Sequence, residues 1–230
     1  MWIAKISGVT NFDAALSIDV SPEFAIGTII DDINEIRTVS KFDARRIFAS
    51  VEHCVTIAEI TPSSLNDIFE TQDVCKPNMI QINGSFFSDE NNLIALQSIS
   101  TIPIIGSISL DKESLESNIL NPDPIEAAKT LDMYVQVINL NLPLGSSWSY
   151  EKSRKQIIQL IEKIKDNITK PLIIGGGLNI KNVGKIAKQL SPNAVDISSG
   201  VEKIKGIKNP ELMQDFLETV YKYKEYIQGI

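Results

Sequence analysis

Histidine and cysteine are scarce in this chain: His53 is the only histidine among 230 residues, and Cys54 and Cys75 are the only cysteines. A histidine-based catalytic triad or a multi-histidine metal site would have to be built around one imidazole, which disfavours both classes of site. Both cysteines lie in apolar company, which favours reduced, buried thiols in a cytosolic protein over a disulfide. We therefore expect a cytoplasmic protein that uses neither a metal nor an organic cofactor.

Long apolar runs and basic clusters are missing as well. No hydrophobic stretch approaches the ~18 residues that span a bilayer, and the opening residues 1–5 lack the layout of a signal peptide. The formal net charge is -7, and no local group of lysines or arginines offsets it, which disfavours nucleic-acid binding. We expect neither a membrane nor a nucleic acid as a partner.

What the chain does have is a regular alternation of short β-rich runs and helical patterns. Eight strands are predicted, at 2–7, 24–30, 55–60, 79–83, 103–109, 134–140, 172–174 and 194–197. Helical patterns follow them, at 12–18, 43–49, 63–70, 89–97, 124–131, 151–167, 180–190 and 210–227. This alternation predicts a parallel sheet with helices outside it, and eight units of roughly 25–30 residues favour a closed (β/α)8 TIM barrel. Since no linker divides the chain, residues 1–230 are expected to form a single domain.

The alternative architecture is a doubly wound open sheet. Its dinucleotide-binding fingerprint, G-x-G-x-x-G, should follow the first strand, but residues 7–11 read Ser-Gly-Val-Thr-Asn, so the barrel is preferred. Two segments lack a clear pattern, 110–124 and 141–149. The second is the better candidate for a lid, because Gly145 and the serines after it could hinge while Trp148 covers a ligand. A plain surface loop with a packed tryptophan is the other interpretation.

Two apolar strands near the C-terminus run directly into small residues. Residues 171–179 read Pro-Leu-Ile-Ile-Gly-Gly-Gly-Leu-Asn, and residues 194–202 read Ala-Val-Asp-Ile-Ser-Ser-Gly-Val-Glu. Such strand ends leave backbone N–H groups free to hold an anionic oxygen, and a following helix adds the positive end of its dipole. We therefore predict a phosphorylated small-molecule ligand, bound by Gly176, Gly177, Ser198, Ser199 and Gly200. Glycines that serve only tight turns are the alternative, which two neighbouring strand ends disfavour.

The period of two along a strand brings further side chains together. Lys5 and Ser7 share one face of the first strand, and Asp196 and Ser198 share one face of the last. If these faces point to the barrel axis, Lys5 and Asp196 form a buried pair beneath the site. Most inward ion pairs are structural, so a catalytic role for either residue is the less common outcome.

Several motifs resemble one known family. Residues 5–15, Lys-Ile-Ser-Gly-Val-Thr-Asn-Phe-Asp-Ala-Ala, are similar to the opening of phosphoribosylanthranilate isomerase, the Amadori-type isomerase of tryptophan biosynthesis. Arg37-Thr-Val-Ser40 is similar to the family's Arg-x-Val-Ser, and Ile80-Gln-Ile-Asn-Gly84 to its Val-Gln-Leu-His-Gly. The family's C-terminal motifs are matched by 176–179, 195–202 and 206–209. The resemblance covers essentially the whole chain, is most specific in the last third, and implies a TIM barrel.

The resemblance also implies which residues bind the substrate. Arg37 matches the arginine that holds the anthranilate carboxylate, for which a planar guanidinium is well suited. Gln81 and Asn83 fall on the fourth-strand motif and are assigned to substrate binding, with Asn83 in place of the family's histidine.

The residues that carry the family's chemistry are changed. Ser7 stands where the family has the cysteine that acts as general base, and an unassisted hydroxyl is a very poor base. The family's general acid is an aspartate that ends the sixth strand, and counting back from Gly145 puts Val137 at that position. Valine has no proton to donate.

The sequence leaves more than one function open. We favour Amadori-type isomerisation of N-(5'-phosphoribosyl)anthranilate or a related phosphosugar, with altered or reduced activity and with protons moved by a rewired set such as Lys5, Asp31 or Asp196. The alternative is a catalytically inactive phosphosugar-binding or regulatory paralogue, which the loss of both acid and base favours. A different phosphosugar isomerase, epimerase or lyase on the same scaffold ranks third. Barrels of this size are often dimers, so a homodimer is a candidate assembly.

Overall fold

Eight parallel strands form a closed barrel in the computed structural model, which describes residues 2–99, 101–144 and 151–230. The strands are β1 (Ala4–Ile6), β2 (Phe24–Ile30), β3 (Val55–Ile60), β4 (Met79–Ile82), β5 (Ile104–Ser109), β6 (Val137–Asn141), β7 (Leu172–Gly175) and β8 (Ala194–Ile197). Each strand pairs in parallel with the next, and β1 also pairs with β8, which closes the sheet. The predicted TIM barrel is confirmed.

Eight α-helices lie outside the barrel within the described residues. They are α1 (Phe12–Ile18), α2 (Lys41–Phe48), α3 (Leu65–Cys75), α4 (Glu90–Ile99), α5 (Pro124–Tyr134), α6 (Glu151–Lys165), α7 (Val183–Leu190) and α8 (Pro210–Lys222). Asn11 caps α1 by accepting the Ala14 N–H, and Asn209 caps α8 by accepting the Leu212 N–H. None of these helices combines the length and apolar character that crossing a membrane would require.

The element boundaries differ from the prediction at a few ends. The sixth strand was expected from residue 134, but α5 continues to Tyr134, and the Val135 N–H still bonds to the carbonyl of Leu131. The last helix ends at Lys222 and a short 3-10 turn follows at Lys224–Tyr226. The patternless segment after β5 forms turns with one antiparallel bridge, between Leu110 and Ser117.

The barrel interior changes character along its axis. At the amino ends of the strands, one apolar cluster fills it, made of Trp2, Ala25, Ile57, Met79, Ile105, Val137, Ile173 and Ala194. Because every second residue of a strand points to the same face, the next inward position on most strands is polar and buried: Lys5, Glu59, Gln81, Ser107, Asn139 and Asp196. A second, larger core of apolar residues packs the helices on the barrel, and both cysteines are buried with free thiols, as predicted.

Candidate active site

Lys5 lies at the centre of the polar layer, and its side chain is fully buried. Its Nζ donates a hydrogen bond to Gln81 Oε1 and lies 3.1 Å from Asp196 Oδ2, so the predicted pair of Lys5 and Asp196 is present. A second carboxylate oxygen, Glu59 Oε2, is 3.8 Å from the same nitrogen. A lysine buried in this way stays charged only because carboxylates and an amide oxygen replace its hydration shell.

Ser7 is two residues after Lys5, on the same face, and directly follows the carboxyl end of β1. Its hydroxyl donates to Asp196 Oδ1 at 2.7 Å, so each oxygen of that carboxylate has a partner on β1. This arrangement orients the hydroxyl and fixes the carboxylate. Both carboxylate oxygens of Asp196 therefore already have a polar partner.

Glu59, on β3, belongs to the site although no motif of the sequence predicts a role for it. Its side chain is 5% exposed and shares the polar layer with Lys5 and Gln81. Burial raises the pKa of the Glu59 carboxyl, and the nearby charge of Asp196 adds to this effect against the opposing influence of Lys5. Glu59 is the only charged residue of β3, whose other members are Val, Thr, Ile, Ala and Ile, and that isolation was the available signal.

Gln81 and Asn83 connect this charged layer to the mouth of the barrel. Gln81 accepts from Lys5 through Oε1, which leaves its Nε2 to donate to Asn83 Oδ1 at 3.0 Å and to Glu59 Oε2 at 3.5 Å. Asn83 follows the end of β4 and is partly exposed. The structure therefore brings these two predicted substrate-binding residues together with Lys5.

Val137 does not occupy the position that was predicted for it. It begins β6 rather than ending it, and it packs in the apolar layer at the amino ends of the strands. The count back from Gly145 assumed a longer loop after the strand, whereas β6 runs on to Asn141. The inward polar residues at the carboxyl end of β6 are Asn139 and Asn141, which share contacts with Ser107 Oγ at 3.3 and 3.4 Å.

Arg37 lies beside the barrel mouth, where its side chain packs over Gly8 and is mostly buried. Its Nε and Nη2 donate to the two oxygens of Glu202 at 2.7 and 3.1 Å, and its Nη1 donates to Glu35 at 2.7 Å. The Glu202 partner lies 165 positions away in the sequence, whereas Glu35 is a local neighbour. A ligand carboxylate would therefore reach this guanidinium at the Glu35 side, where the partner is more exposed.

Glu202 links Arg37 to a second buried cation. Lys208 donates to Glu202 Oε1 at 2.7 Å and to the hydroxyl and carbonyl of Ser198 at 3.1 and 3.0 Å. Burial alone would raise the pKa of Glu202, but hydrogen bonds from Arg37, Lys208 and the Gly206 N–H lower it to about 2. Lys208 thus holds Ser198, the first residue of the predicted phosphate loop after β8, through two hydrogen bonds.

The predicted phosphate residues meet at the carboxyl ends of β7 and β8, which are neighbours in the barrel. Gly176 and Gly177 have φ of 88° and 70°, a conformation that favours glycine. A Cβ on Gly200 would lie 2.1 Å from the carbonyl oxygen of Leu178, so the two loops are in direct contact.

The same loops present unused donors. The backbone N–H groups of Gly177, Ser199 and Gly200 have no acceptor among the described residues, and Gly177 and Ser199 are exposed. Unpaired amides that converge at the ends of two strands form a cradle suited to an anion. The lid predicted at Gly145 to Trp148 lies outside the described residues, and Asp31 is half exposed and pairs with Lys41 at 3.6 Å, away from the polar layer.

The sequence comparisons return phosphoribosylanthranilate isomerases. A sequence profile described as N-(5'phosphoribosyl)anthranilate (PRA) isomerase matches residues 151–219. The N-(5'-phosphoribosyl)anthranilate isomerase of Methanocaldococcus jannaschii is 28% identical over 228 residues, which cover 95% of this chain and 96% of the relative. That of Methanocella arvoryzae is 27% identical over 227 residues, which cover 96% of this chain and 98% of the relative.

Solved structures share the architecture. The crystal structure of phosphoribosyl anthranilate isomerase from Thermotoga maritima matches with a TM-score of 0.77 at 23% identity and covers 96% of this chain and 100% of its own. The enzyme from Pyrococcus furiosus matches with a TM-score of 0.72 at 20% identity, over 96% of this chain and 100% of its own. The sequence similarity extends along nearly the whole barrel, and the family profile covers the phosphate loops, so this chain is similar to the phosphoribosylanthranilate isomerases over nearly its full length.

Proposed function

We propose that this protein isomerises N-(5'-phosphoribosyl)anthranilate, an aldose derivative, to the corresponding ketose. The observation that carries the proposal is the pairing of a backbone anion cradle with a buried layer of proton-exchanging groups at the same end of one barrel. A family structure with a TM-score of 0.75 is a complex with reduced 1-(o-carboxyphenylamino)-1-deoxyribulose 5-phosphate. That compound joins a phosphate and a carboxyphenyl group through a five-carbon chain, which suits a site with an anion cradle and a separate arginine.

We assign the ligand's phosphate to the loops after β7 and β8. The donors are the backbone N–H groups of Gly176, Gly177, Ser199 and Gly200, with the Ser198 hydroxyl beside them. Arg37 takes the anthranilate carboxylate through Nη1 once Glu35 has moved aside, since Glu202 keeps the other two nitrogens. The sugar then spans the mouth of the barrel above Gln81 and Asn83, whose amides are held in place by each other.

The reaction requires an acid that opens the furanose ring and a base that removes a proton next to the resulting iminium carbon. Lys5, Ser7 and Asp196 form one hydrogen-bonded unit at the position of the family's base. Lys5 keeps positive charge beneath the ring, and Asp196 holds the Ser7 hydroxyl toward it. We assign these three residues to the catalytic site, where they balance charge and orient the reacting groups.

A steady-state assay with N-(5'-phosphoribosyl)anthranilate tests the proposal. We expect turnover above the uncatalysed background, and a Ser199→Pro variant, which removes one backbone donor from the cradle, should raise KM for the substrate. The matched control is Ser199→Ala, which changes the same side chain but keeps the backbone N–H. Purified protein that binds the substrate but shows no turnover would reject isomerisation.

Ser7 and the two asparagines of β6 favour a second candidate function. With no thiol at position 7 and neutral amides at Asn139 and Asn141, the pocket could retain phosphosugar binding without chemistry. In that case ribulose 5-phosphate and inorganic phosphate would raise the melting temperature while the assay stays at background. Turnover of the anthranilate substrate would exclude this alternative.

We also propose that residues 1–230 act as one domain and assemble as a homodimer. The two ends of the chain meet at the barrel floor, where Trp2 and Ile230 exchange backbone hydrogen bonds of 3.0 and 2.9 Å. The relative from Thermotoga maritima is described as dimeric. Light scattering of the purified protein measures the assembly directly, and a monomer mass at micromolar concentration would contradict the dimer.

A further inference from the structure

We infer that Glu59 is the catalytic base of this isomerase, the group that removes the proton from the sugar carbon next to the iminium. The inference rests on the isomerase function proposed above. Neither the family's motifs nor the unit of Lys5, Ser7 and Asp196 assigns this residue a role. Three features of the structure support it: where its carboxylate lies, which of its atoms is free, and how its charge is balanced.

The first feature is position. A Cβ built on Gly27 would lie 1.9 Å from Glu59 Oε1 and 3.3 Å from the Cα of Ser7. The Glu59 carboxylate therefore occupies the space that a side chain at Gly27 would fill, and Ser7 borders the same space. Ser7 is the position at which the family carries its basic thiol, so Glu59 brings a titratable group to the same place from a different strand.

The second feature is a free oxygen. Glu59 Oε1 is buried and has no hydrogen-bond partner among the described residues, whereas Oε2 faces Lys5 and Gln81. The other titratable groups of the layer are occupied, because Asp196 uses one oxygen for Ser7 and one for Lys5. Leaving a buried acceptor unpaired costs about 1–3 kcal/mol, so it is seldom retained without a purpose. Asn139 Oδ1 in the same layer is also unpaired, but an amide oxygen is not a proton acceptor of useful basicity. Among the described residues of the layer, Glu59 Oε1 is thus the carboxylate oxygen that can accept a proton without breaking an existing contact.

The third feature is charge. Lys5 and Asp196 already neutralise each other, so ionised Glu59 adds one negative charge to a buried site. Burial accordingly raises the pKa of Glu59, which makes its carboxylate a stronger base than an exposed one. Lys5, 3.8 Å from Oε2, keeps the ionised form accessible.

Glu59 Oε1 takes the proton from C2 of the open-chain iminium and becomes a carboxylic acid. The electron pair of that C–H bond forms the C1–C2 double bond, and the π pair of the iminium moves onto nitrogen, which becomes a neutral enamine nitrogen. Glu59 then returns its proton to C1 as the C2 hydroxyl loses its own to solvent, which gives the ketose and restores the carboxylate.

The experiment is a comparison of wild type, Glu59→Gln and a matched control in the anthranilate assay. Glutamine keeps the volume and the contacts of Oε2 but cannot take a proton. We expect kcat to fall by roughly 10²–10⁴-fold, the usual contribution of a general base, with KM changed by less than about threefold because no contact to the phosphate cradle or Arg37 is lost. Glu113→Gln, on an exposed turn, should keep wild-type rates.

Rescue separates a base from a positioning residue. Ser7→Cys in the Glu59→Gln background places a thiol next to the lost carboxylate, and we expect it to recover at least about tenfold in kcat, with activity rising toward the pKa of a cysteine near 8.5. If Glu59 only positions other groups, Ser7→Cys should change kcat by a similar factor in Glu59→Gln and in wild type. A gain in Glu59→Gln that does not exceed the gain in wild type therefore overturns the inference.

The outcomes also separate this inference from the proposed function. If wild type is active and Glu59→Gln retains its kcat within about threefold, the base assignment is wrong and the isomerase proposal stands. If wild type has no activity, the proposed function fails, and the role of Glu59 fails with it. Should Glu59→Gln not fold, Glu59→Asp provides the test, because a carboxylate withdrawn by one methylene should lower kcat while preserving the rising limb of the pH profile.

Discussion

Replacing Glu202 by glutamine should destabilise the protein at neutral pH and much less in acid. Glu202 holds both Arg37 and Lys208, and its pKa is about 2 against an ordinary value of 4.5. A shift of this size corresponds to about 3 kcal/mol of stability at pH 7, at 1.36 kcal/mol per unit. Removing one partner from a buried ion pair typically costs about 3–5 kcal/mol, so the two estimates agree in scale.

The sign of the pH dependence follows from the direction of the shift. Because the folded-state pKa is depressed, the contribution is complete above about pH 5 and is lost as pH falls through 4.5 toward 2. Linkage with those two values predicts that the penalty of Glu202→Gln shrinks by about 2 kcal/mol between pH 7 and pH 3. Part of the penalty persists, since glutamine cannot neutralise two buried cations.

Thermal and urea unfolding at several pH values measures this effect. A loss of about 3 kcal/mol should lower Tm by about 6–12 °C for a chain of this size. The control is Glu211→Gln, which breaks a surface contact to Lys203 of 3.1 Å and should cost less than about 1 kcal/mol at any pH. A penalty for Glu202→Gln that is equal at pH 7 and pH 3, or no larger than the control, would refute the reasoning.

Three further predictions concern the site. Glu59→Gln should stabilise the fold increasingly as pH rises above 4.5, because the raised pKa of Glu59 makes its ionisation unfavourable in the folded state. Melting curves at pH 5 and pH 8 measure the difference, and an equal gain in Tm at both pH values would contradict the prediction. Gly200→Ala places a Cβ 2.1 Å from the carbonyl of Leu178 and should weaken inorganic phosphate binding by at least about tenfold in calorimetry, whereas unchanged affinity would separate that loop from the cradle. Ser7→Cys combined with Asn139→Asp should raise kcat, since it returns a thiol and a carboxyl to the mouth of the barrel; a rate at or below wild type would count against isomerase chemistry at this end.

The fold was predictable because the signal is repeated along the chain. Each strand is a short apolar run and each helix carries its own amphipathic pattern, so an error at one boundary does not change the architecture. The pair of Lys5 and Asp196 was predictable for a related reason, since side-chain alternation alone places both on the barrel axis. Local periodicity is sufficient to predict where a side chain lies whenever its position depends only on its own strand.

The remaining features of the site depend on contacts between distant segments. Arg37 and Glu202 are separated by 165 positions, and only closure of the barrel brings β8 beside the loop after β2. The error at Val137 arose in the same way, because the length of a loop was assumed where the register of β6 against β5 decides which residues face the mouth. Glu59 was overlooked because its importance depends on a glycine in the neighbouring strand.

Gly27, Glu59 and Ser7 depend on one another in this barrel. A hydroxyl at position 7 cannot replace a thiol as a base, and the Glu59 carboxylate reaches that position only because Gly27 has no side chain. Any larger residue at 27 would displace the carboxylate from this position, because its Cβ would lie 1.9 Å from Oε1. The retention of an unpaired, buried carboxylate oxygen is therefore the cost in stability that accompanies keeping a base at this end of the barrel.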